Sequence, residues 1–256
     1  MMYMRYGFIP FKRVCCWEQQ TCCFLEENIL KRKNTSNLAN IIAYALIGTI
    51  AFILIEIAFP LPVASFLKFD FSDVIVTIGT FLFGPLPGLF IAFIRMVIDL
   101  IYKGFALPSI IGQLAALLAS MSFALPFYFV TKDLSVDEKN TTKRHLKPLL
   151  GILIGIVAMT IVLATLNALV LTPIYAVSTV PNLPAIHGYS GLLNFTEKVY
   201  LGQLLHIPSM SAYIFGIIVP FNLLKGAING VVVFLLFETV LRSLKPFVRK
   251  YFKLNK

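Results

Sequence analysis

Apolar residues occur along the chain in long runs, separated by short breaks that are polar or rich in proline and glycine. A helix needs about 20 apolar residues to cross a bilayer, and most of these runs approach or exceed that length. We therefore predict an all-α membrane protein, a bundle of six helices. Their predicted bounds are 38–59, 72–83, 89–102, 108–130, 148–171 and 211–240. The second run is short and could span a bilayer only if it is tilted or supported by its neighbours.

Proline and glycine mark the expected ends of these helices. The stretch Gly84-Pro85-Leu86-Pro87-Gly88 separates the second helix from the third. Pro173 is expected to end the fifth helix and Pro220 to interrupt the last one, because proline lacks the N–H that a helix interior needs. Residues 172–210 are mixed in polarity, and we predict a long outer loop with a piece that lies on the membrane surface.

Composition agrees with a membrane bundle. Hydrophobic residues make up 58% of the 256 positions and charged residues 13%, about half the share of a soluble domain. Mean hydropathy is +0.84, and lipid rather than a protein core can accommodate so much apolar surface. We divide the chain into a weakly ordered N-terminal extension (1–37), a membrane domain (38–241) and a basic cytoplasmic tail (242–256).

The net charge of +10 is distributed between the apolar runs rather than clustered as in a nucleic-acid binder. With six spans, three basic stretches fall on one side of the membrane: Arg5, Lys12, Arg13, Lys31, Arg32 and Lys33; Lys132, Lys139, Lys143, Arg144 and Lys147; and Arg242, Lys245, Arg249, Lys250, Lys253 and Lys256. The other side has Lys68, Lys103 and Lys198. This asymmetry predicts that both termini are cytoplasmic.

Charged residues inside a span cost roughly 2.5–3.5 kcal/mol at the helix centre, so each of them needs a partner or a role. Arg95 and Asp99 are four residues apart, and we predict that they neutralise each other. Asp73 directly follows Ser72 at the start of the second helix and is expected to cap it.

The last helix has a polar stripe. Asn222, Lys225 and Asn229 are spaced by three and four residues, which places them on one helix face. Asparagine often joins membrane helices by hydrogen bonds, but an ammonium group between two amides favours a ligand-facing stripe. Asn167, near the outer end of the fifth helix, could share a site with Asn222.

The first helix is rich in small residues, which permit close approach of another helix. They form either an internal packing face or a docking face for another subunit: Ala39, Ala43, Ala45, Gly48, Thr49 and Ala51.

The motifs of several enzyme classes are missing from the sequence. It contains no GxxxxGK[ST] phosphate loop, no HExxH zinc helix and no G-x-S-x-G elbow. The adjacent pairs Cys15-Cys16 and Cys22-Cys23 do not match zinc-site spacing. We predict that the chain is not an enzyme and holds no metal or cofactor.

Five stretches in order resemble the riboflavin-specific substrate-binding (S) component of energy-coupling factor (ECF) transporters, over roughly residues 40–238. They are EIAFPLP (56–62), LKFDFSD (67–73), FGPLPG (83–88), NALVLTP (167–173) and PFNLLKG (220–226). The resemblance implies six helices with both termini inside, in a bacterial plasma membrane. It also implies uptake of riboflavin with a transmembrane coupling subunit and two ATP-binding subunits.

The resemblance implies site residues as well. Asn167, Asn222 and Lys225 are expected to contact the flavin, and Leu67, Phe69 and Asp70 in the first outer loop complete the expected site. The small residues of the first helix would face the coupling subunit. The flavin ring is flat and mostly apolar, and its uracil-like edge matches the donor and acceptor of an asparagine amide. Lysine can donate only, so Lys225 would meet a carbonyl or a ring nitrogen.

Three alternatives remain open from the residues themselves. The chain could be an S component for thiamine, folate or pantothenate. It could be a self-sufficient secondary transporter, with Asp99 or Lys225 as the group that couples transport to an ion. It could also be an assembly subunit that binds no small molecule.

Overall fold

The structure, a computed structural model, describes residues 19–60, 68–134, 141–180 and 187–252. The chain divides into two units, residues 1–42 and 43–256. The described part of the first unit is helical throughout and forms the beginning of α1. The second unit contains the rest of α1 and all the other elements described below.

The described residues are almost entirely helical. The α-helices are α1 (Gln19–Glu56), α2 (Ser72–Phe83), α3 (Pro85–Lys103), α4 (Leu107–Thr131), α5 (Thr141–Leu166), α6 (Thr172–Thr179), α7 (Gly188–Phe195), α8 (Met210–Tyr213), α9 (Val219–Thr239) and α10 (Lys245–Tyr251). Four π-helical segments are π1 (Asn167–Leu171), π2 (Thr196–Leu204), π3 (Ile214–Ile218) and π4 (Val240–Leu244). The short antiparallel strands β1 (Phe59–Pro60) and β2 (Lys68–Phe69) pair Phe59 with Phe69.

Five of the described helices are long and apolar enough to cross a membrane. They comprise Leu38–Glu56, Pro85–Lys103, Leu107–Thr131, Thr142–Thr179 and Met210–Val248. The last two are continuous because π1, π3 and π4 join α-helical parts without a break. The helix α2 is apolar but has only 12 residues.

The prediction that proline ends or interrupts the fifth and last helices is wrong. The fifth helix passes through Pro173 to Thr179, and the last passes through Pro220 without a break. Each proline is the second residue after a π-helical segment: Pro173 follows π1, and Pro220 follows π3. A π turn already replaces the usual i−4 hydrogen bonds by i−5 bonds, so a residue without an N–H disturbs less there than in a regular α-helix.

Two segments predicted to be irregular contain helix, and helix also extends into the predicted tail. The N-terminal extension is helical from Gln19, and residues 1–18 lie outside the described part. The predicted outer loop 172–210 includes α6, α7 and π2. The predicted tail continues the last helix as α10, and residues 253–256 lie outside the described part.

The short helix α2 lies in the middle of the bundle. Most of its side chains are buried, and it packs against α3, α4 and α9. Aromatic rings from three helices meet there: the ring centre of Phe81 in α2 lies 6.1 Å from that of Phe127 in α4 and 5.2 Å from that of Phe237 in α9. The long helices instead expose large apolar side chains, such as Leu235 at 70%, as expected for surfaces that face lipid.

Close helix packing predicts a stability difference between two glycines. A Cβ on Gly155 of α5 would lie 2.7 Å from the backbone oxygen of Phe123 in α4, whereas a Cβ on Gly216 would meet nothing within 4 Å. We expect Gly155→Ala to destabilise the bundle by about 1–3 kcal/mol, because backbone atoms cannot move aside as a flexible side chain can. Gly216→Ala, the matched control, should be neutral or slightly stabilising.

Thermal unfolding of the purified variants in detergent measures this difference. Equal unfolding temperatures for Gly155→Ala and the wild type would contradict the close contact between α4 and α5.

Candidate functional site

A partly open cavity of about 420 Å³ lies within the second unit, a volume in the range of small-molecule sites. Residues from α3, α4, α9 and the α5–π1–α6 helix supply most of its wall. Its polar lining residues are Asp70, Asp99, Lys103, Ser109, Gln113, Asn167, Tyr175, Thr179, Tyr200, Asn222 and Lys225. Its apolar lining residues are Ile55, Pro108, Gly112, Ala115, Ala116, Ala119, Leu163, Leu171 and Phe221.

The two asparagines of the wall hold their amides in the same way. The Nδ2 of Asn167 donates to the carbonyl of Leu163 at 2.8 Å, and that of Asn222 donates to the carbonyl of Ile218 at 2.8 Å. A carbonyl oxygen can only accept, so each bond fixes which end of the amide is the nitrogen. The carbonyl oxygen and second amide hydrogen of both residues have no partner among the described residues. Each amide therefore offers a donor and an acceptor of known orientation.

Lys225 is neutralised within the protein. Its Nζ lies 2.9 Å from Oδ2 of Asp70 and 3.1 Å from Oδ2 of Asp73, and 7% of the residue is exposed. Asp70 also accepts hydrogen bonds from the backbone N–H of Ser72, at 2.9 Å, and from the Ser72 hydroxyl. The polar stripe of α9 therefore meets the start of α2 rather than lipid.

Arg95 closes this arrangement from the other side. Its Nη1 donates to the hydroxyls of Ser72 and Ser120, at 2.9 and 2.8 Å. The hydroxyl of Ser120 in turn donates to Asp73. We call the resulting loop of hydrogen bonds and ion pairs the charge ring: Arg95, Ser72, Asp70, Lys225, Asp73 and Ser120.

Two predictions about these charges are wrong. Arg95 lies 3.6 Å from Asp73 and belongs to the charge ring, while its predicted partner Asp99 binds Lys103 at 2.5 Å. Asp73 is not the cap of α2, because its carboxylate turns to Lys225 and Ser120. Asp70 instead accepts a hydrogen bond from the backbone N–H of Ser72, which has no partner within the helix.

The charge ring contains two carboxylates and two cations, so it is electrically balanced. Burial by itself disfavours the ionised form of Asp70, but the nearby Lys225 and the hydrogen bond from Ser72 outweigh it and hold the pKa of that carboxyl below its usual range. Asn229 adds a weaker contact, with Nδ2 3.4 Å from Oδ2 of Asp73. The ring ties the segment before α2 to α2, α3, α4 and α9.

The charge balance predicts the effect of removing one cation. Lys225→Met leaves two buried carboxylates with Arg95 alone, and we expect a loss of about 3–5 kcal/mol of stability. Adding Asp70→Asn restores the balance, so the double variant should unfold at a higher temperature than Lys225→Met. The control is Lys198→Met, which changes an exposed lysine. A Lys225→Met protein as stable as this control would contradict the charge ring.

The structure brings four of the six predicted ligand residues to the cavity wall: Asp70, Asn167, Asn222 and Lys225. Phe69 packs behind it, with its ring centre 6.3 Å from that of Phe221, whose side chain lines the cavity. Leu67 lies outside the described residues.

The small residues of the first helix do not share one environment. Within the second unit, Gly48 and Ala51 are buried, and a Cβ on Gly48 would lie 2.8 Å from Ile94 of α3. Ala43 and Ala45 are half-buried, and Thr49 is exposed. Ala39, in the first unit, is exposed. At Gly48, small size permits close contact between α1 and α3, while Ala51 is buried in an apolar cluster that includes Val76 and Ile91.

Several lining residues were missed from the sequence. Ser109 and Gln113 are four residues apart on α4 and line the cavity together, a spacing that the sequence displays. Tyr175 and Tyr200 come from the segment predicted to be a loop. Their helical periodicity is interrupted by π1 and π2, which no sequence signal marked.

Apolar helices of spanning length around a cavity with oriented amides and balanced charges are typical of an integral membrane protein that handles a small molecule. Residues 39–237 match the family described as "ECF transporter, substrate-specific component". The chain belongs to this family of S components.

Curated relatives and a solved structure extend this comparison. The chain is 30% identical to "Riboflavin transporter RibU" of Staphylococcus aureus (strain TCH60), over 84% of this chain and 97% of the relative. It is 29% identical to "Riboflavin transporter FmnP" of Bacillus subtilis (strain 168), over 82% and 94%. It also matches the structure reported as "Structure and mechanism of the S component of a bacterial ECF transporter", with a TM-score of 0.57, 28% identity and coverage of 82% and 99%.

Proposed function

We propose that the chain is the riboflavin-binding S component of an ECF transporter and mediates ATP-dependent uptake of the vitamin. A transmembrane coupling subunit and two ATP-binding subunits would be its partners. Family membership and the relatives named riboflavin transporters support the proposal. The observation that carries it is the pair of oriented amides, Asn167 and Asn222, on the wall of a cavity of suitable size.

The uracil-like edge of the flavin has one N–H donor flanked by carbonyl acceptors. Asn167 and Asn222 each present an acceptor and a donor to such an edge, without breaking the bonds that orient them. The apolar lining, including Phe221 and Leu171, suits the flat ring. Since a buried donor or acceptor without a partner costs about 1–3 kcal/mol, these amides favour a ligand that matches both.

Lys225 has a supporting role in this proposal. An ammonium has three hydrogens, and the two carboxylates of the charge ring use two of them. One hydrogen remains for a flavin carbonyl or ring nitrogen. Asp70 holds Lys225 at the wall, while Phe69 and Leu67 belong to the loop that we propose closes over the ligand from outside.

In this proposal, α2 is the sixth membrane helix and both termini are cytoplasmic. The described helices comprise five of spanning length, and α2 is a short apolar helix in the centre of the bundle. Counting α2 as a span places the three basic stretches on the same, cytoplasmic side. The protein would then reside in a bacterial plasma membrane, with residues 38–241 as its membrane domain.

We further propose that the lipid-facing side of α1 binds the coupling subunit. Ala39 and Thr49 are exposed on this helix, and Ala43 and Ala45 are half-buried. Gly48 and Ala51 are buried, and Gly48 would contribute by letting α1 approach α3 closely.

Binding of riboflavin to the purified protein tests the proposal. We expect either a bound flavin spectrum or quenching of added riboflavin, and a riboflavin-dependent rise of the unfolding temperature. Thiamine, folate and pantothenate at the same concentrations should not raise it. A colourless protein that neither quenches nor is stabilised by riboflavin would contradict the proposed function.

The two amides predict graded losses of affinity. We expect Asn222→Ala and Asn167→Ala each to weaken riboflavin binding by about 1–3 kcal/mol, roughly 5- to 150-fold, since each leaves flavin groups without a partner. Fluorescence quenching titrations measure the change. The control is Asn194→Ala, which removes an exposed amide outside the cavity wall and should bind as the wild type does. Wild-type affinity in both cavity variants would place the site elsewhere.

A further inference from the structure

The chain ends in a strongly basic segment that lies apart from the cavity. Residues 239–256 contain six basic residues and no acidic residue. The segment continues the last helix of spanning length without a break, first as π4 and then as α10, and none of its described residues lines the cavity. Positive charge is therefore concentrated at one end of a membrane-spanning helix.

Charged side chains of several helices meet at this end of the bundle. Glu238, near the end of α9, pairs with Arg144 of α5. Lys245 of α10 donates to the backbone carbonyls of Lys132 and Leu134, just after α4, at 3.2 and 2.7 Å. The apolar parts of α4, α5 and α9 thus end together, and a bilayer places such an end at the level of its lipid headgroups.

One side of α10 packs on the bundle. Lys245 and Val248 are buried, and the Nζ of Lys245 lies 4.5 Å from the ring centre of Phe81 in α2. Phe252, directly after α10, has its ring centre 5.4 Å from that of Phe83, the last residue of α2. This side of α10 is therefore covered by the protein itself.

The other side combines basic and apolar groups at the surface. Leu244 and Phe247 are exposed, Phe247 by 52%. The side chain of Arg242 is 65% exposed, and Lys250 is exposed as well. We call these four residues the C-terminal surface. Water suits its charges but not its phenyl ring, and hydrocarbon suits only the ring, whereas the boundary between headgroups and acyl chains suits both.

The C-terminal surface retains positive charge despite a nearby acid. The Nε of Arg242 lies 3.4 Å from the carboxylate of Glu238. That carboxylate already accepts two hydrogen bonds from Arg144, of which the one from Nε is 2.7 Å long. Two guanidinium groups thus share one carboxylate, and the net charge beside Arg242 favours an anion.

From these contacts we infer that the C-terminal surface binds anionic phospholipid headgroups. Arg242 and Lys250 pair with headgroup phosphates, while Leu244 and Phe247 enter the layer of acyl chains beside them. An acidic protein would match the charges too, but continuity with a spanning helix holds this surface at the bilayer. The inference does not depend on which small molecule the cavity binds.

Tryptophan fluorescence tests the inference, because bromine on an acyl chain quenches an indole ring that it contacts. The only tryptophan of the sequence is Trp17, so Trp17→Phe combined with Phe247→Trp places a single indole on the C-terminal surface. The protein is reconstituted into vesicles of phosphatidylglycerol and phosphatidylcholine at equal mole fractions, with bromine on one lipid or the other. We expect brominated phosphatidylglycerol to quench about threefold more strongly than brominated phosphatidylcholine.

Removal of charge and addition of salt should both reduce this ratio of quenching. Adding Arg242→Gln and Lys250→Gln should lower it by about half or more, since two headgroup partners are lost. At about 1 M salt the screening length falls to about 3 Å, so the ratio should also fall in the protein with both charges intact. The matched control Lys198→Gln, at an exposed lysine outside the segment, should leave the ratio unchanged.

A second control moves the indole to the other end of the same helix. Phe215→Trp, at an exposed residue of π3 and combined with Trp17→Phe, should be quenched equally by the two brominated lipids. Equal quenching in Phe247→Trp, or a preference that neither salt nor removal of the two charges reduces, would overturn the inference. Quenching of Phe247→Trp by neither lipid would also overturn it, and would indicate that protein rather than lipid covers this surface.

Discussion

The charge ring is the interaction on which the rest of the bundle depends. Two carboxylates and two cations are buried among apolar helices, where each unpaired charge would cost several kcal/mol. The cost is avoided because Arg95 and Lys225 approach the acids from opposite sides, through α3 and α9, and two serine hydroxyls complete the loop. The position of α9 against the start of α2 is thereby defined, and Asn222 lies one turn before Lys225 on the same helix.

The ring and the cavity share Asp70 and Lys225, and this sharing sets the electrostatic character of the site. Lys225 reaches the cavity wall already neutralised by two acids, so an anionic ligand gains little from its charge. What the wall offers instead are oriented dipoles, the amides of Asn167 and Asn222. A cavity of this kind discriminates by matching donors with acceptors, and it favours an uncharged ligand over a charged one.

How far the sequence predicts this structure depends on whether the relevant interaction is local. The bounds of α2 and the common face of Asn222 and Lys225 follow from glycine, proline and the helical period, and both appear in the structure. The partner of Lys225 does not follow, because Asp70 lies 155 residues away in the chain. The spacing of Arg95 and Asp99 suggested a local pair, but a buried arginine took partners on two other helices.

The π-helical segments were beyond prediction for a related reason. Pro173 and Pro220 are ordinary signals for a helix end, and whether the helix continues depends on a wider turn that tertiary packing supports. Gln113 was missed because a single amide in an apolar helix resembles the residues that join membrane helices, and its lack of a partner is visible only in the folded chain.

The shortness of α2 connects the charge ring with the cavity. Its 12 residues extend about 18 Å, well short of a hydrocarbon core of about 30 Å. In the proposed six-helix arrangement, one end of α2 must therefore lie at a depth where polar groups need protein partners. The N-terminal end of α2, at Ser72, is part of the charge ring. Asp70, just before it, lines the cavity, while no residue of α2 itself does. The first turn of the short helix thus lies beside the cavity wall, and the buried charges supply the polar partners that this turn needs.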